Sequence, residues 1–229
     1  MKSIDTIRLR KCLGWLGMLL PIIVLVLCVI YGEAAPVDHI FPDSISATYY
    51  FDTTITPFMI ILGSAGILLM CYRGYTKVDD IINTLTGIFA WCICLFPCSN
   101  PDLYAAGLIP NYVGTFHLPV FWSGWIHNIS AIIFFCLLAY NCLFLFTKSS
   151  GEMTRNKKIR NIIYRICGIG MLLAIVVVCL VAFANIWSAI WWAEAFALFF
   201  FGIAYLTKAD IYPWLFCDSA GRDEDTDNA

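Results

Sequence analysis

Residues 187–201 read WSAIWWAEAFALFFF, an apolar run whose one ionisable side chain is Glu194. A carboxylate among hydrocarbon neighbours is expensive to keep there, so such a group is a candidate functional residue by default. A second apolar run carries an imidazole, His127. A carboxylate and an imidazole that meet offset much of the cost of burying either one. Hydroxyls come from residues 32–53, which begin GEAAPVDHIFPDSISATYYFD. His127, Glu194 and Ser46 are therefore the catalytic candidates, as base, carboxylate and nucleophile. The wider candidate pocket for a lipid or other ligand is Ser44, Ser46, Tyr49, Tyr50, His127, Ser130 and Glu194. A metal is the alternative use of the same chemistry. His117, His127, Asp43 and Glu194 supply the three or four N and O ligands a zinc ion wants. No His-x3-His or His-Glu-x2-His spacing occurs, so these ligands would have to converge from separate segments. No cofactor is expected outside this zinc reading.

These residues need elements to position them. The chain has 229 residues, 61% hydrophobic and 13% charged. An ordinary soluble domain has about 45–50% apolar and about 25% charged residues. The excess is concentrated in runs near the length of about 20 residues that a bilayer-spanning helix needs. Six such spans are predicted at about 12–31, 54–72, 81–98, 120–147, 161–184 and 188–207. Backbone groups in lipid must be satisfied internally, so each span is expected to be helical. The first run is about 19 residues, longer than the 7–15 of a cleaved leader, and is taken as a helix despite the small-residue stretch GEAAP after it. The fold class is all-α, a polytopic six-helix transmembrane bundle. Residues 1–11 form an N-terminal extension, 12–207 the bundle and 208–229 an acidic tail expected to be disordered.

Basic residues set the expected orientation. Thirteen of the 14 Lys and Arg lie before the first span, between the second and third, between the fourth and fifth, or after the sixth, and the other, Arg165, is the fifth residue of the fifth span. The segments 32–53, 99–119 and 185–187 contain none. Basic residues close to spans stay on the cytoplasmic side. Both termini are then cytoplasmic, and His39, His117, His127 and Glu194 fall on the other half. At about 1.5 Å per residue, His127 and Glu194 sit at matching depth, roughly 9–10 Å inside their spans. In the fourth span Ser123, Gly124, His127, Ser130 and Ala131 form a small, polar helical stripe of the kind that faces other helices. GSAG at 63–66 offers another close-contact patch, and Trp187, Trp191 and Trp192 suit an interface. Most of the 11 cysteines lie within spans and are expected to pack as small hydrophobes.

The order of certain short motifs resembles a known family. ISA at 45–47, YRGY at 72–75, HNISA at 127–131 and Glu194 follow one another as in the DRAM/Frag-like six-span membrane proteins, and are most similar to bacterial members catalogued only as a domain of unknown function. Ala47 stands where eukaryotic members tend to have Asp, and Glu194 is followed by Ala195 rather than Trp. The resemblance implies a membrane protein tied to lipid organisation or lipid-anchor remodelling, and supplies no reaction. The leading expectation is a lipid-interacting or accessory protein with a polar pocket facing the outer leaflet. Its expected partners are membrane lipids and another membrane protein, with no nucleic acid, in a plasma or bacterial inner membrane. An intramembrane metal-dependent hydrolase or acyltransferase is the alternative. A proton-coupled transporter comes third, for want of an inverted repeat or a helix broken at mid-membrane.

Overall fold

The computed structural model of the chain describes residues 2–31, 42–74, 76–148, 154–184 and 189–211. His39, Trp187 and the acidic tail beyond 211 lie outside the described residues. Six helices are long and apolar enough to cross a membrane. They are α1 (Lys2–Tyr31), α2 (Asp52–Cys71), α3 (Lys77–Leu95), α5 (Val120–Tyr140), α6 (Arg155–Phe183) and α7 (Ile190–Lys208). The short helix α4 (Pro101–Ala105) and a hairpin of β1 (Tyr112–Val113) and β2 (Leu118–Pro119) fill the connection between α3 and α5. This hairpin departs from the all-α expectation. It pairs Tyr112 with Pro119 and Val113 with Leu118, and Gly114 and His117 turn the chain at positive φ.

Local chemistry explains where the helices begin and end. Thr76 and Asp79 form a capping box at the start of α3, each side chain receiving the other's backbone N–H. Thr154 caps α6 by accepting from Lys157 N–H at 3.2 Å. The third span stops at Leu95, short of the expected 98, because Pro97 cannot continue a helix and holds Phe96 extended. The long fourth span keeps its length by switching register. After Tyr140 the residues Asn141–Leu145 form a π-helical turn, closed by Phe146 N–H donating to Asn141 O at 2.8 Å.

The six long helices close into a ring in the order α1, α2, α3, α5, α6, α7 and back to α1. The most buried of them is α7 and the least is α6. Small residues set the closest approaches, as expected where lipid gives helices little hydrophobic reason to associate. Gly66 of the GSAG patch lies against Gly87 of α3, and a Cβ at Gly87 would run into Gly66 O. A carbon added to Gly168 of α6 would meet Leu143 and Ala139 O, which marks where α5 and α6 pack tightly. The ten described cysteines are all free thiols.

Polar contacts tie the end of the bundle that carries the basic residues. Arg10 Nε donates to Tyr72 OH at 3.1 Å, and Arg10 Nη1 donates to Lys208 O at 3.2 Å. Lys148 Nζ sits 3.1 Å from Asp79 Oδ1, and Tyr205 OH donates to Asn83 Oδ1 at 3.3 Å. The contact between α2 and α3 has a direct test. Gly87→Leu forces overpacking against backbone and is expected to destabilise the bundle by about 1–3 kcal/mol. Gly63→Ala, where an added carbon would meet only Trp91 at 3.6 Å, should cost less, and thermal unfolding in detergent compares the two.

Candidate functional site

The opposite end of the bundle gathers the ends of α1, α3 and α6 with the starts of α2, α5 and α7. Residues 42–51 are folded down onto it, with Ile45, Ala47 and Thr48 buried. Two bonds attach this segment to α7. Trp191 N–H donates to Asp43 O at 3.0 Å, and Ile45 N–H donates to Glu194 Oε2 at 2.6 Å. Ser46 Oγ adds a longer contact to Glu194 Oε1 at 3.5 Å. A 3-10 turn, Ser46–Tyr50, follows at once, so the carboxylate holds backbone donors that have no partner within that turn. Ser44 Oγ accepts from Ala47 N–H at 2.8 Å. Thr54 Oγ1 donates to Thr48 O at 2.7 Å and locks the exit into α2.

A second set of bonds serves the carbonyls stranded past the end of α3. His127 Nδ1 donates to Phe96 O at 2.7 Å, Ser123 Oγ donates to Pro97 O at 2.8 Å, and Tyr50 OH donates to Cys98 O. A carbonyl can only accept, so His127 carries its proton on Nδ1, and in the neutral ring Nε2 is an acceptor. Asn100 then links three segments. Its Nδ2 donates to Asp43 Oδ2 at 3.1 Å, and its Oδ1 accepts from Leu103 N–H at 3.0 Å at the start of α4. Burial pushes the phenols of Tyr49 and Tyr50 above their usual range, so both stay protonated donors.

Between α5, α6 and α7 these residues enclose a cavity of about 280 Å³. One part of its wall is polar, from Asp43, Ser44, Ser46, Ser99, Asn100, His127, Asn128 and Glu194. The remainder is apolar. Ala131, Ile132 and Phe135 come from α5, Ala174, Ile175, Val178, Cys179 and Ala182 from α6, and Ile190, Ala193 and Ala197 from α7. Asn128, Ile132 and Cys179 are exposed, so the cavity opens between α5 and α6 at the bundle's outer surface.

Several expectations about this site need correction. His127 and Glu194 line one cavity but do not pair. Each is bonded elsewhere, to the Phe96 carbonyl and to the Ile45 amide. The physical reason is that stranded backbone groups in a membrane domain are at least as demanding as a buried side chain. Tyr50 is committed to Cys98 O, Tyr49 packs edge-on to it, and Ser130 is buried on α5, so none of the three lines the cavity. His117 is exposed in the hairpin turn, stacked on Tyr112. Consequently the proposed zinc set of His117, His127, Asp43 and Glu194 does not converge, and no metal-holding cluster forms among the described residues. Ser46 is bonded to Glu194 rather than to His127, so the nucleophile and base of the catalytic reading are not joined either.

The structure also adds residues. Asn100 had a visible signal in SNPD at 99–102, where Asn before Pro marks a helix start. Ala174, Val178 and Ala182 form a small-residue line at i, i+4, i+8 that periodicity could have exposed. Asn128 stood inside the HNISA motif without being taken as a pocket residue, and Ser99 carried no distinguishing signal.

Glu194 provides the test of this arrangement. Glu194→Ala leaves the Ile45 amide unpaired and should cost about 1–3 kcal/mol, whereas Glu194→Gln keeps a carbonyl acceptor and should cost less. Thermal unfolding ranks the variants, and hydrogen exchange at the Ile45 amide should quicken in the alanine variant alone.

No family model, curated protein or solved structure matches this chain.

Proposed function

We propose that this chain is a lipid-interacting membrane protein that receives a lipid, through the opening between α5 and α6, into the cavity beside residues 43–46. The observation that carries the reading is the division of the cavity wall. A polar end of carboxylates, hydroxyls and amides meets an apolar trough that opens laterally. A soluble metabolite would have little use for the trough, and an apolar chain little use for the polar end. Binding sites generally combine an apolar lining with a few placed polar groups in this way. The ordered motifs that resemble those of the DRAM/Frag-like proteins point in the same direction.

The orientation follows from charge. With every Lys and Arg in or next to the other loops and ends, both termini are cytoplasmic and the cavity faces the outer leaflet. A plasma or bacterial inner membrane fits that polarity. The hydrolase and acyltransferase reading finds less support, since Ser46 and His127 are each bonded to something else.

Two measurements test these statements. Alkaline phosphatase fused to either terminus should be inactive, and inserted after Gly107 it should be active. The reverse pattern overturns the orientation. Val178→Trp and Ala182→Trp fill the trough from α6. They should remove lipid that the wild-type protein keeps through purification, as counted by native mass spectrometry. Unchanged retention in both overturns the lipid-binding reading.

A further inference from the structure

The polar end of the cavity is one-sided in charge. It contains two carboxylates, Asp43 and Glu194, and no Lys or Arg. The backbone sets both acids at the same end of the cavity. Trp191 N–H bonds Asp43 O, and one turn further along α7 Glu194 accepts from Ile45, two residues after Asp43. Both are anchored by only part of their capacity. An ionised carboxylate offers about four acceptor sites. Asp43 spends one on Asn100, and Glu194 spends its own on Ile45 N–H and, weakly, Ser46 Oγ.

The backbone amides near the site are already used within the protein, and the side-chain donors of the wall, on Ser44, Ser99, Asn100 and Asn128, are all neutral. The amides of Ile45, Ala47, Leu103 and Trp191 serve Glu194, Ser44, Asn100 and Asp43 respectively. His127 Nδ1–H donates to Phe96 O. What faces an incoming headgroup is thus rich in acceptors and negative. A phosphate head with no cation of its own would meet like charge there and no Lys or Arg. Two carboxylates drawn out of water without a counter-charge are costly, and a cation between them relieves the cost.

We propose that the cavity selects an amphiphile whose head is a primary ammonium, bound by Asp43 and Glu194, with one apolar chain lying along Ala174, Val178 and Ala182. The inference rests on the lipid-binding reading and names its ligand class. An ammonium brings three donors and no acceptor, which complements this wall. A quaternary head brings the charge without the donors, and a glycerol head brings the reverse. The source is an ethanolamine phospholipid of the bilayer or a free long-chain amine.

The test uses the full chain in nanodiscs of equimolar ethanolamine, choline and glycerol phospholipids with identical acyl chains. The lipids kept on the protein after extraction are counted by native mass spectrometry. Enrichment of the ethanolamine lipid by about fivefold over each of the others, equivalent to about 1 kcal/mol, is expected. Asp43→Asn and Glu194→Gln both keep an acceptor for their protein partners, so each variant should remain folded, and each should lose most of that enrichment. Dodecylamine separates the sources. Displacement of the retained lipid by dodecylamine but not by dodecanol extends the site to free amines. An ethanolamine lipid that resists both assigns it to the phospholipid, and either result upholds the ammonium. Equal retention of the three lipids, preference for the glycerol head, or undiminished enrichment in both variants overturns the proposal. In that case the Val178→Trp and Ala182→Trp variants still report separately on whether any lipid occupies the trough.

Discussion

The bond from the Ile45 amide to the Glu194 carboxylate joins the most buried helix to the segment that closes one end of the ring. With Trp191 N–H on Asp43 O it forms a two-point attachment between residues 43–45 and the first turns of α7. Without it, the 3-10 turn at Ser46 would present unpaired donors in surroundings where water is scarce, and such groups are expensive wherever they occur in a membrane domain. The charge-assisted character of the bond makes it stronger than a neutral one. A carboxylate early in an apolar helix is explained first as the acceptor for that backbone.

The same economy governs α5. Pro97 ends α3 and strands three successive carbonyls, at Phe96, Pro97 and Cys98. A histidine, a serine and a tyrosine from two other segments satisfy them. The polar stripe on α5 is thus spent on stitching α5 to the end of α3. These bonds cement one side of the cavity, while the other side, the α6 wall, is held by packing of small and branched apolar residues. The tight approach at Gly168 near the basic end and the cavity beyond it describe two helices that touch at one end and part at the other. A lateral opening is a natural consequence.

A site made this way has fixed walls and unspent acceptors. Its polar residues are oriented by bonds to backbone, which favours precise placement of whatever they receive. Its charge is negative because the bundle keeps every basic residue elsewhere in the sequence. In the proposed reading, orientation in the membrane and ligand preference stem from one asymmetry. Basic residues gathered at one end of the bundle leave the cavity wall at the other end without Lys or Arg.

The six spans, their approximate limits and the segregation of charge were legible in the letters. They depend on hydrophobic run length, proline and basic-residue position, all of which act locally. The residues Asp43, Ser44, Ser46, His127 and Glu194 could also be gathered on one end of the bundle from topology alone. Their partners could not. A sequence shows that His127 and Glu194 lie on helices running in the same direction, and pairing is the simplest guess for two buried ionisable groups. The backbone groups that compete for them, Phe96 O and Ile45 N–H, become available only because α3 stops at a proline and a turn forms at Ser46. Which side chain reaches them is decided by the order of helices around the ring. The cavity belongs to the same level, since it is the space left where α5 and α6 diverge, and no local pattern encodes the distance between two helices.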